Sequence, residues 1–178
     1  FGRNMPRGQV VAATQDTTWT NDKPYVIFNG IIIDSLHTLT IEPGVRVHIY
    51  NYGSIIVKGK LIANGGNWSD TTQIVKFGGV RTENGQPEYL GNDYTGGLLP
   101  SWQQESDYTD IPGQWNGFIL WPGSETNLKG IELRNGITGI LATKYLVQDN
   151  TIVIYPTAPK LTLENVVIRD MVGYGIQS

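Results

Sequence analysis

The sequence predicts an all-β fold in which short strands wind into a β-solenoid with long loop insertions. Apolar residues alternate with polar ones over short segments, which is the pattern of strands with one buried face. Tight turns separate these segments, and the chain has 22 glycines among 178 residues. Two segments near the C-terminus also repeat each other. Short strands, frequent corners and a repeat together favour stacked coils over a hairpin meander.

Four regions follow from this pattern. Residues 1–18 are polar without a period, and we interpret them as an N-terminal arm or linker. The solenoid is predicted to fill residues 19–178. Two insertions, at about 81–114 and 141–160, interrupt the alternation, and "TIVIY" in the second predicts a short strand.

The sequence before the first insertion predicts two corners and a set of inward-pointing residues. Pro43 presets φ for a type II turn and Gly44 accepts the positive φ that such a turn needs, so this pair predicts a corner. A second corner is predicted at Lys58 and Gly59. The residues predicted to point inward are all apolar: Val26, Phe28, Ile31, Ile33, Leu39, Ile41, Val45, Val47, Ile49, Ile55, Val57, Leu61 and Ala63.

The internal repeat matches "LKGIELRNGITGI", residues 128–140, to "LENVVIRDMVGYGI", residues 163–176. Helical repeats have a similar length, but β-branched residues and a period of two disfavour helix here. Asn135 and Asp170 are predicted at corners, because Asn and Asp tolerate left-handed backbone. The repeat maps one set of residues onto another: Leu128, Ile131, Leu133, Arg134 and Ile137 onto Leu163, Val166, Ile168, Arg169 and Val172.

Composition excludes several classes of function. The net charge is -3, and no stripe of Lys and Arg indicates a nucleic-acid partner. The absence of cysteine excludes disulfides, thiolate metal sites and a cysteine nucleophile. No apolar run approaches the roughly 18 residues of a membrane-spanning helix. The chain has no nucleophile elbow, phosphate loop or dinucleotide fingerprint, so no particular reaction is indicated.

The motifs "LTIEPGVRVHI", "GSIIVKGKLIANG" and "DIPGQWNGFILWPGSETN" form a longer combined pattern. From about Asp16 to Ile176 this pattern resembles right-handed parallel β-helix proteins of the Bacteroidota cell envelope. The resemblance implies a right-handed coil, a place at the outer membrane or cell surface of a Gram-negative bacterium, and a lipoprotein-like tether. It implies no settled activity. The chain lacks the lipidated cysteine, and we expect it to be part of a longer solenoid.

The insertion at 81–114 is the first candidate site, because it is rich in acidic and aromatic residues. Aromatic faces stack on sugar rings, and carboxylates bind sugar hydroxyls or Ca²⁺. The alternative is a loop that covers one sheet with its own aromatic residues. The acidic residues are Glu83, Glu88, Asp93, Glu105, Asp107 and Asp110. The residues that we select as ligand-binding are Tyr94, Trp102, Asp107, Tyr108 and Asp110, and Asp107 and Asp110 are also the candidate Ca²⁺ ligands.

A second candidate is a cationic row on the outward positions of adjacent strands, formed by Arg46, Lys58, Lys60 and Lys76. A polysaccharide lyase needs such cations to neutralise a uronate, together with a base that takes the proton. The alternative is an ordinary solvated face with charges that guard sheet edges. His37 and His48 show no metal-ligand spacing, and His48 is predicted to face outward beside Arg46. No cofactor other than Ca²⁺ is indicated.

Three tripeptides begin with Asp followed by Ser or Thr, at Asp16, Asp34 and Asp70. The resemblance implies O-glycosylation at such tripeptides. The predicted acceptor residues are Thr17, Ser35 and Thr71.

The leading functional hypothesis is a non-catalytic surface solenoid that presents aromatic and acidic loops to a glycan, a partner protein or an outer-membrane assembly. A convincing scaffold pattern without a convergent catalytic set favours it. One alternative is a polysaccharide lyase or glycoside hydrolase that acts on acidic polysaccharide, with catalytic coils partly beyond residue 178. Another is a subunit of an outer-membrane complex.

Overall fold

The computed structural model describes residues 11–22, 24–79, 82–83, 86–87, 113–148 and 151–178. This part of the chain is all-β, with a short 3₁₀ turn at Thr71–Gln73 as its only helical segment. The strands are β1 (Val11–Ala13), β2 (Thr17–Trp19), β3 (Tyr25–Ile33), β4 (Thr38–Ile41), β5 (Arg46–Val57), β6 (Lys60–Asn64), β7 (Val75–Gly79), β8 (Thr82–Glu83), β9 (Gln86–Pro87), β10 (Gly117–Leu120), β11 (Glu125–Arg134), β12 (Ile140–Ala142), β13 (Tyr145–Gln148), β14 (Thr151–Ile154), β15 (Lys160–Arg169) and β16 (Ile176–Gln177).

Parallel pairing arranges most strands in three ladders. The first ladder contains β1, the second halves of β3 and β5, then β10, β12 and β16. The second contains β2, β4, β6 and the first halves of β11 and β15. The third contains the first halves of β3 and β5, then β7 and the second halves of β11 and β15. Along the chain, successive strands belong to the first, second and third ladders in turn.

Single residues with left-handed backbone separate one ladder from the next inside the long strands. Asn29, Tyr52, Gly130 and Asn165 have φ values of 63, 55, 59 and 55 degrees within β3, β5, β11 and β15. Such a residue turns an extended chain sharply without ending it. Each long strand can therefore serve two ladders.

The predicted corners are confirmed at three positions. Gly44 has a φ of 78 degrees, as the type II turn requires. Asn135 and Asp170 have φ values of 62 and 55 degrees. Short polar side chains and glycine are therefore placed where the chain leaves the extended conformation.

Inward residues of all three ladders form one apolar cluster. The predicted inward positions from Ile31 to Ala63 are all buried, which confirms the alternation over that region. The prediction is wrong by one residue at the start of β3. Ile27 belongs to the cluster, whereas Val26 pairs with His48 and Phe28 stacks on Tyr50 with ring centroids 4.9 Å apart. All four residues of "YVIF" are apolar, so the sequence does not show which of them point inward.

The sheet begins earlier than predicted. β1 and β2 fall within the predicted arm 1–18, yet they pair in parallel with β3 and β4. Three-residue strands are too short to show a period, so the sequence pattern does not reveal them. Residues 1–10 lie outside the described part of the chain. The sheet therefore includes residues that the sequence pattern assigns to the arm.

The second insertion, 141–160, contains an antiparallel hairpin of β13 and β14. The strand predicted in "TIVIY" is confirmed as β14, which ends before Pro156. The hairpin exposes Tyr145, Ile152 and Ile154. In the first insertion, the described residues include the two-residue antiparallel pair of β8 and β9.

The internal repeat corresponds to one step along the ladders. Leu128 pairs with Leu163, Ile131 with Val166, and the register continues to Arg134 and Arg169. The apolar repeat positions therefore stack directly on each other, as the sequence comparison predicted. Leu163 is 37% exposed and Leu128 only 1%, because β15 pairs with β11 alone among the described strands.

At the opposite end of the ladders, an aromatic pair packs against the apolar cluster. Trp19 and Tyr25 stack with ring centroids 4.5 Å apart. The Tyr25 hydroxyl accepts a hydrogen bond from the Thr20 backbone N–H at 3.0 Å. The two ends therefore differ, since one is covered by rings and the other leaves β15 and β16 half-exposed.

We expect the repeat-related leucines to differ in their contribution to stability. Leu128→Ala should destabilise the fold by about 2–5 kcal/mol, because it leaves a cavity between two strands. Leu163→Ala should cost less, roughly 1 kcal/mol, because its side chain is packed on one side only. Urea denaturation of both variants measures the two values. Equal losses would contradict the one-sided packing of β15.

Candidate functional site

Outward positions of the third ladder carry two rows of charged side chains. In one row, Arg46 pairs with Lys76, and Lys76 pairs with Glu132. In the other row, His48, Gly78, Arg134 and Arg169 are successive neighbours. Adjacent strands lie about 4.8 Å apart, so these side chains form one continuous surface. We call it the charged face, and it consists of Arg46, His48, Lys76, Glu132, Arg134 and Arg169.

Local contacts hold the guanidinium groups of the charged face in place. Arg169 Nε donates to Glu132 Oε1 at 2.7 Å, and its terminal nitrogen donates to Asp170 Oδ2 at 2.6 Å. The Arg134 side chain lies over Gly78, where a Cβ atom would come within 3.3 Å of Arg134 Nε. A residue without a side chain therefore leaves room for the guanidinium.

Burial shifts the ionisation of two residues of the charged face. Desolvation, supported by the positive charges of Arg134 and Arg46, lowers the pKa of His48 to about 3, so His48 is neutral near pH 7. Burial also lowers the pKa of Lys76, and Arg134, Arg46 and Arg169 act in the same direction, whereas Glu132 opposes them. Both pKa shifts arise first from desolvation of a basic group, and the neighbouring arginines add to the effect.

Among the described residues, cations outnumber carboxylates in this region. Within the described residues it holds four cations, Arg46, Lys76, Arg134 and Arg169, against the carboxylates of Glu132 and Asp170. Glu132 and Arg134 are buried, Lys76 is half-buried and Arg46 is exposed. Electrostatic attraction is stronger at partly buried charges than in open water. The arrangement can therefore hold a carboxylate or sulfate group near Lys76.

The predicted cationic row is right for two of its four members. Arg46 and Lys76 are direct neighbours. Lys58 instead lies over the Trp121 ring, with Nζ 4.5 Å from the centroid, and Lys60 pairs with Glu125 at 3.1 Å. The turn that follows β5 transfers the chain to the second ladder, so these lysines belong to another surface.

The two histidines have different surroundings. His48 points outward as predicted, but it is buried rather than solvated. His37 lies beside Asp16, with Nδ1 3.8 Å from a carboxylate oxygen. Across the described ranges, no group of three or more His, Asp or Glu side chains could hold a metal ion.

The ligand residues predicted in the first insertion lie outside the described part of the chain. They are Tyr94, Trp102, Asp107, Tyr108 and Asp110, and the Ca²⁺ site at Asp107 and Asp110 is among them. The same holds for Glu88, Asp93 and Glu105. Their binding role stays a prediction.

The three predicted glycosylation sites occupy different environments. Thr17 is half-buried in β2, and its hydroxyl donates to the Gln15 carbonyl at 3.0 Å. Ser35 is exposed, and Asp34 accepts a hydrogen bond from its backbone N–H at 2.7 Å. Thr71 is exposed at the start of the 3₁₀ turn. Ser35 and Thr71 are thus accessible, and their modification stays a prediction.

Three residues of the charged face were not selected from the sequence: Glu132, Arg134 and Arg169. The internal repeat indicates two of them. Arg134 and Arg169 occupy equivalent positions of the repeat, and equivalent positions are neighbours in a ladder. Glu132 had no such signal, since its repeat partner is Val167.

Comparison with protein-family models, curated proteins and solved structures finds no match for this chain. Among the residues that the structure describes, no helix has the length and hydropathy to cross a membrane.

We expect mild acid to destabilise the fold through His48. Its pKa falls from 6.5 in the unfolded chain to about 3 in the folded chain, so the unfolded chain binds the proton more readily. Stability that is fully present above pH 6.5 is therefore lost as the pH falls toward about 3. The loss should approach roughly 1.4 kcal/mol per pH unit in that window.

Urea denaturation at about pH 7 and about pH 5 measures this effect in the parent protein and in His48→Gln. The glutamine variant keeps every other titrating group, so its smaller pH dependence isolates the histidine. The same slope in both proteins would contradict a desolvated, neutral His48.

Proposed function

We propose that the chain is a non-catalytic, right-handed β-solenoid that binds an acidic glycan on the charged face. Strands that enter the first, second and third ladders in turn, always in parallel, are consistent with winding in one direction around the apolar cluster. The right hand follows the resemblance of the sequence motifs to envelope β-helix proteins. The same resemblance supports a place at the outer membrane or cell surface, which we also propose.

The observation that carries the binding proposal is the concentration of cationic side chains around Lys76 among the described residues. A uronic acid carboxylate matches this surface, because guanidinium groups bind carboxylates through two parallel hydrogen bonds. Arg46 is exposed beside Lys76, so a ligand can reach both side chains. The face also extends over four parallel strands, which suits an extended polymer better than a small compact ligand.

A rigid sheet favours binding for a further reason. Backbone pairing fixes the spacing of Arg46, Lys76 and Arg134, so little conformational freedom remains to be lost when a ligand binds. The contact between Arg169 and Glu132 restrains a fourth cation in the same way. The backbone of this surface is therefore preorganised for anion binding.

A polysaccharide lyase is the second candidate, and the lowered pKa of Lys76 favours it. A neutral amine at Lys76 could take the proton next to a uronate carboxylate while arginine stabilises the charge that develops. A carbon–carbon double bond would then form as the glycosidic carbon–oxygen bond breaks, and the leaving oxygen would take a proton from water. The binding function needs none of these steps, so it is the simpler assignment.

We expect Lys76 to contribute to the binding of acidic polysaccharide. Calorimetric titration with polygalacturonate should show binding that weakens with added salt, because screening reduces the attraction. Lys76→Gln should lower the affinity about tenfold, the loss of one charged hydrogen bond. Lys144→Gln is the matched control, since Lys144 is exposed in the turn before β13 and should leave the affinity unchanged. Equal affinities in all three proteins would contradict the assignment.

We expect no cleavage when the protein is incubated with acidic polysaccharides. Ultraviolet absorbance of unsaturated sugar ends reports the lyase reaction directly. A steady rise in this absorbance that disappears in Lys76→Gln would contradict the binding function and support the lyase.

A further inference from the structure

The segment that leaves β6 contacts β15, although β11 lies between these two strands in the second ladder. The Gly65 backbone N–H donates to the Lys129 carbonyl at 2.6 Å. The segment passes close to Gly130, where an added Cβ would collide with the Gly66 carbonyl oxygen. Gly130 therefore lets the segment cross β11 at the corner between the second and third ladders.

Beyond this crossing, Trp68 reaches the next corner. Its indole Nε1 donates to the Asn165 carbonyl oxygen at 3.0 Å. The Asn165 side-chain nitrogen donates to Asn67 Oδ1 at 3.4 Å. Two contacts across nearly a hundred residues of chain thus fix one tryptophan and two amides at a single corner.

Trp68 is not explained by core packing. It is 39% exposed and does not belong to the apolar cluster. Its only polar group is already hydrogen-bonded, so the surface that remains in contact with solvent is ring carbon. A large exposed aromatic ring held in a fixed orientation is characteristic of a binding surface.

The position of the corner relates it to the charged face. Asn165 and Gly130 precede Val167 and Glu132 by two residues, and Glu132 belongs to the charged face. Two residues of extended strand span roughly 7 Å, so the corner lies about one sugar ring away from the charged face along the strand direction.

We propose that Trp68, Asn67 and Asn165 form a sugar-stacking platform that holds a pyranose unit next to the acidic unit on the charged face. This inference rests on the proposed glycan-binding function. The C–H groups on one side of a pyranose ring pack on the electron-rich indole face. The amides of Asn67 and Asn165 supply donors and acceptors for the ring hydroxyls. The platform recognises the sugar ring, whereas the charged face recognises its carboxylate.

The test compares variants of the whole protein by calorimetric titration with an acidic hexasaccharide and with free galacturonate. Trp68→Ala should weaken hexasaccharide binding about tenfold, which corresponds to about 1.4 kcal/mol, and leave galacturonate binding unchanged. Trp68→Phe should restore most of the affinity, because an aromatic face returns. Tyr174→Ala is the matched control, since Tyr174 is also an exposed aromatic residue but lies outside the platform.

Asn165→Gly tests the amide separately from the backbone. Glycine accepts the φ of 55 degrees at this position, so the corner and the carbonyl that holds Trp68 are retained. This variant should bind the hexasaccharide several-fold more weakly. Thermal unfolding of each variant confirms that the fold is intact.

Three outcomes are distinguishable when a neutral hexasaccharide is titrated as well. Hexasaccharide binding that depends on Lys76 but is unchanged in Trp68→Ala overturns the platform and leaves the proposed function in place. Binding of a neutral hexasaccharide that requires Trp68, with no binding of acidic sugars, supports the platform and overturns the charged-face function. The absence of binding to any of these sugars overturns both.

Discussion

In-register parallel pairing is the constraint on which the rest of the structure depends. Within the three ladders, strands pair with equivalent strands farther along the chain, and the pairing of β11 with β15 keeps one register from Glu125 to Arg134. Because side chains alternate across a strand, this register places apolar residues on apolar residues at every inward position. A shift by one residue would turn the whole inward row to solvent. Burial of the apolar cluster therefore stabilises this register, and the register in turn keeps the apolar residues stacked on each other.

The same register determines what happens on the outer surface. It brings Arg46 beside Lys76 and Arg134 beside Arg169, which places like-charged residues on strands about 4.8 Å apart. Glu132 lies among these cations and accepts from Arg169. His48 is neutral because it is buried next to arginines. A geometry that serves packing on one face thus concentrates charge on the other, and this concentration is the basis of the proposed anion binding.

Corners hold the residues of the proposed sugar-stacking platform. Left-handed residues such as Asn165 redirect the chain without ending the strand, and they leave backbone carbonyls available to groups outside the ladders. Gly130 lets a segment cross an intervening strand, and Trp68 is held at the end of that segment. The proposed binding groups thus lie on turns as well as on strands, which agrees with the general tendency of recognition residues to lie on connections.

The sequence alone determined the local features of this protein. Alternation identified the inward residues from Ile31 to Ala63, and Gly44, Asn135 and Asp170 marked corners through their backbone preferences. The repeat predicted that Leu128 and Leu163 are equivalent, because equivalent positions stack. These features depend only on neighbours in the chain or on similarity between two segments.

The tertiary structure alone decided which distant strands meet. β6 pairs with β11 across the first insertion, and no local pattern specifies that pairing. For the same reason the structure places Lys58 and Lys60 outside the predicted cationic row. It places Glu132 and Arg134 in the charged face, although the sequence did not select them. The burial of His48 and the contact of Trp68 with Asn165 likewise depend on segments far apart in sequence. Alternation encodes which way a side chain points, whereas its neighbours in the next strand are set by the path of the intervening chain.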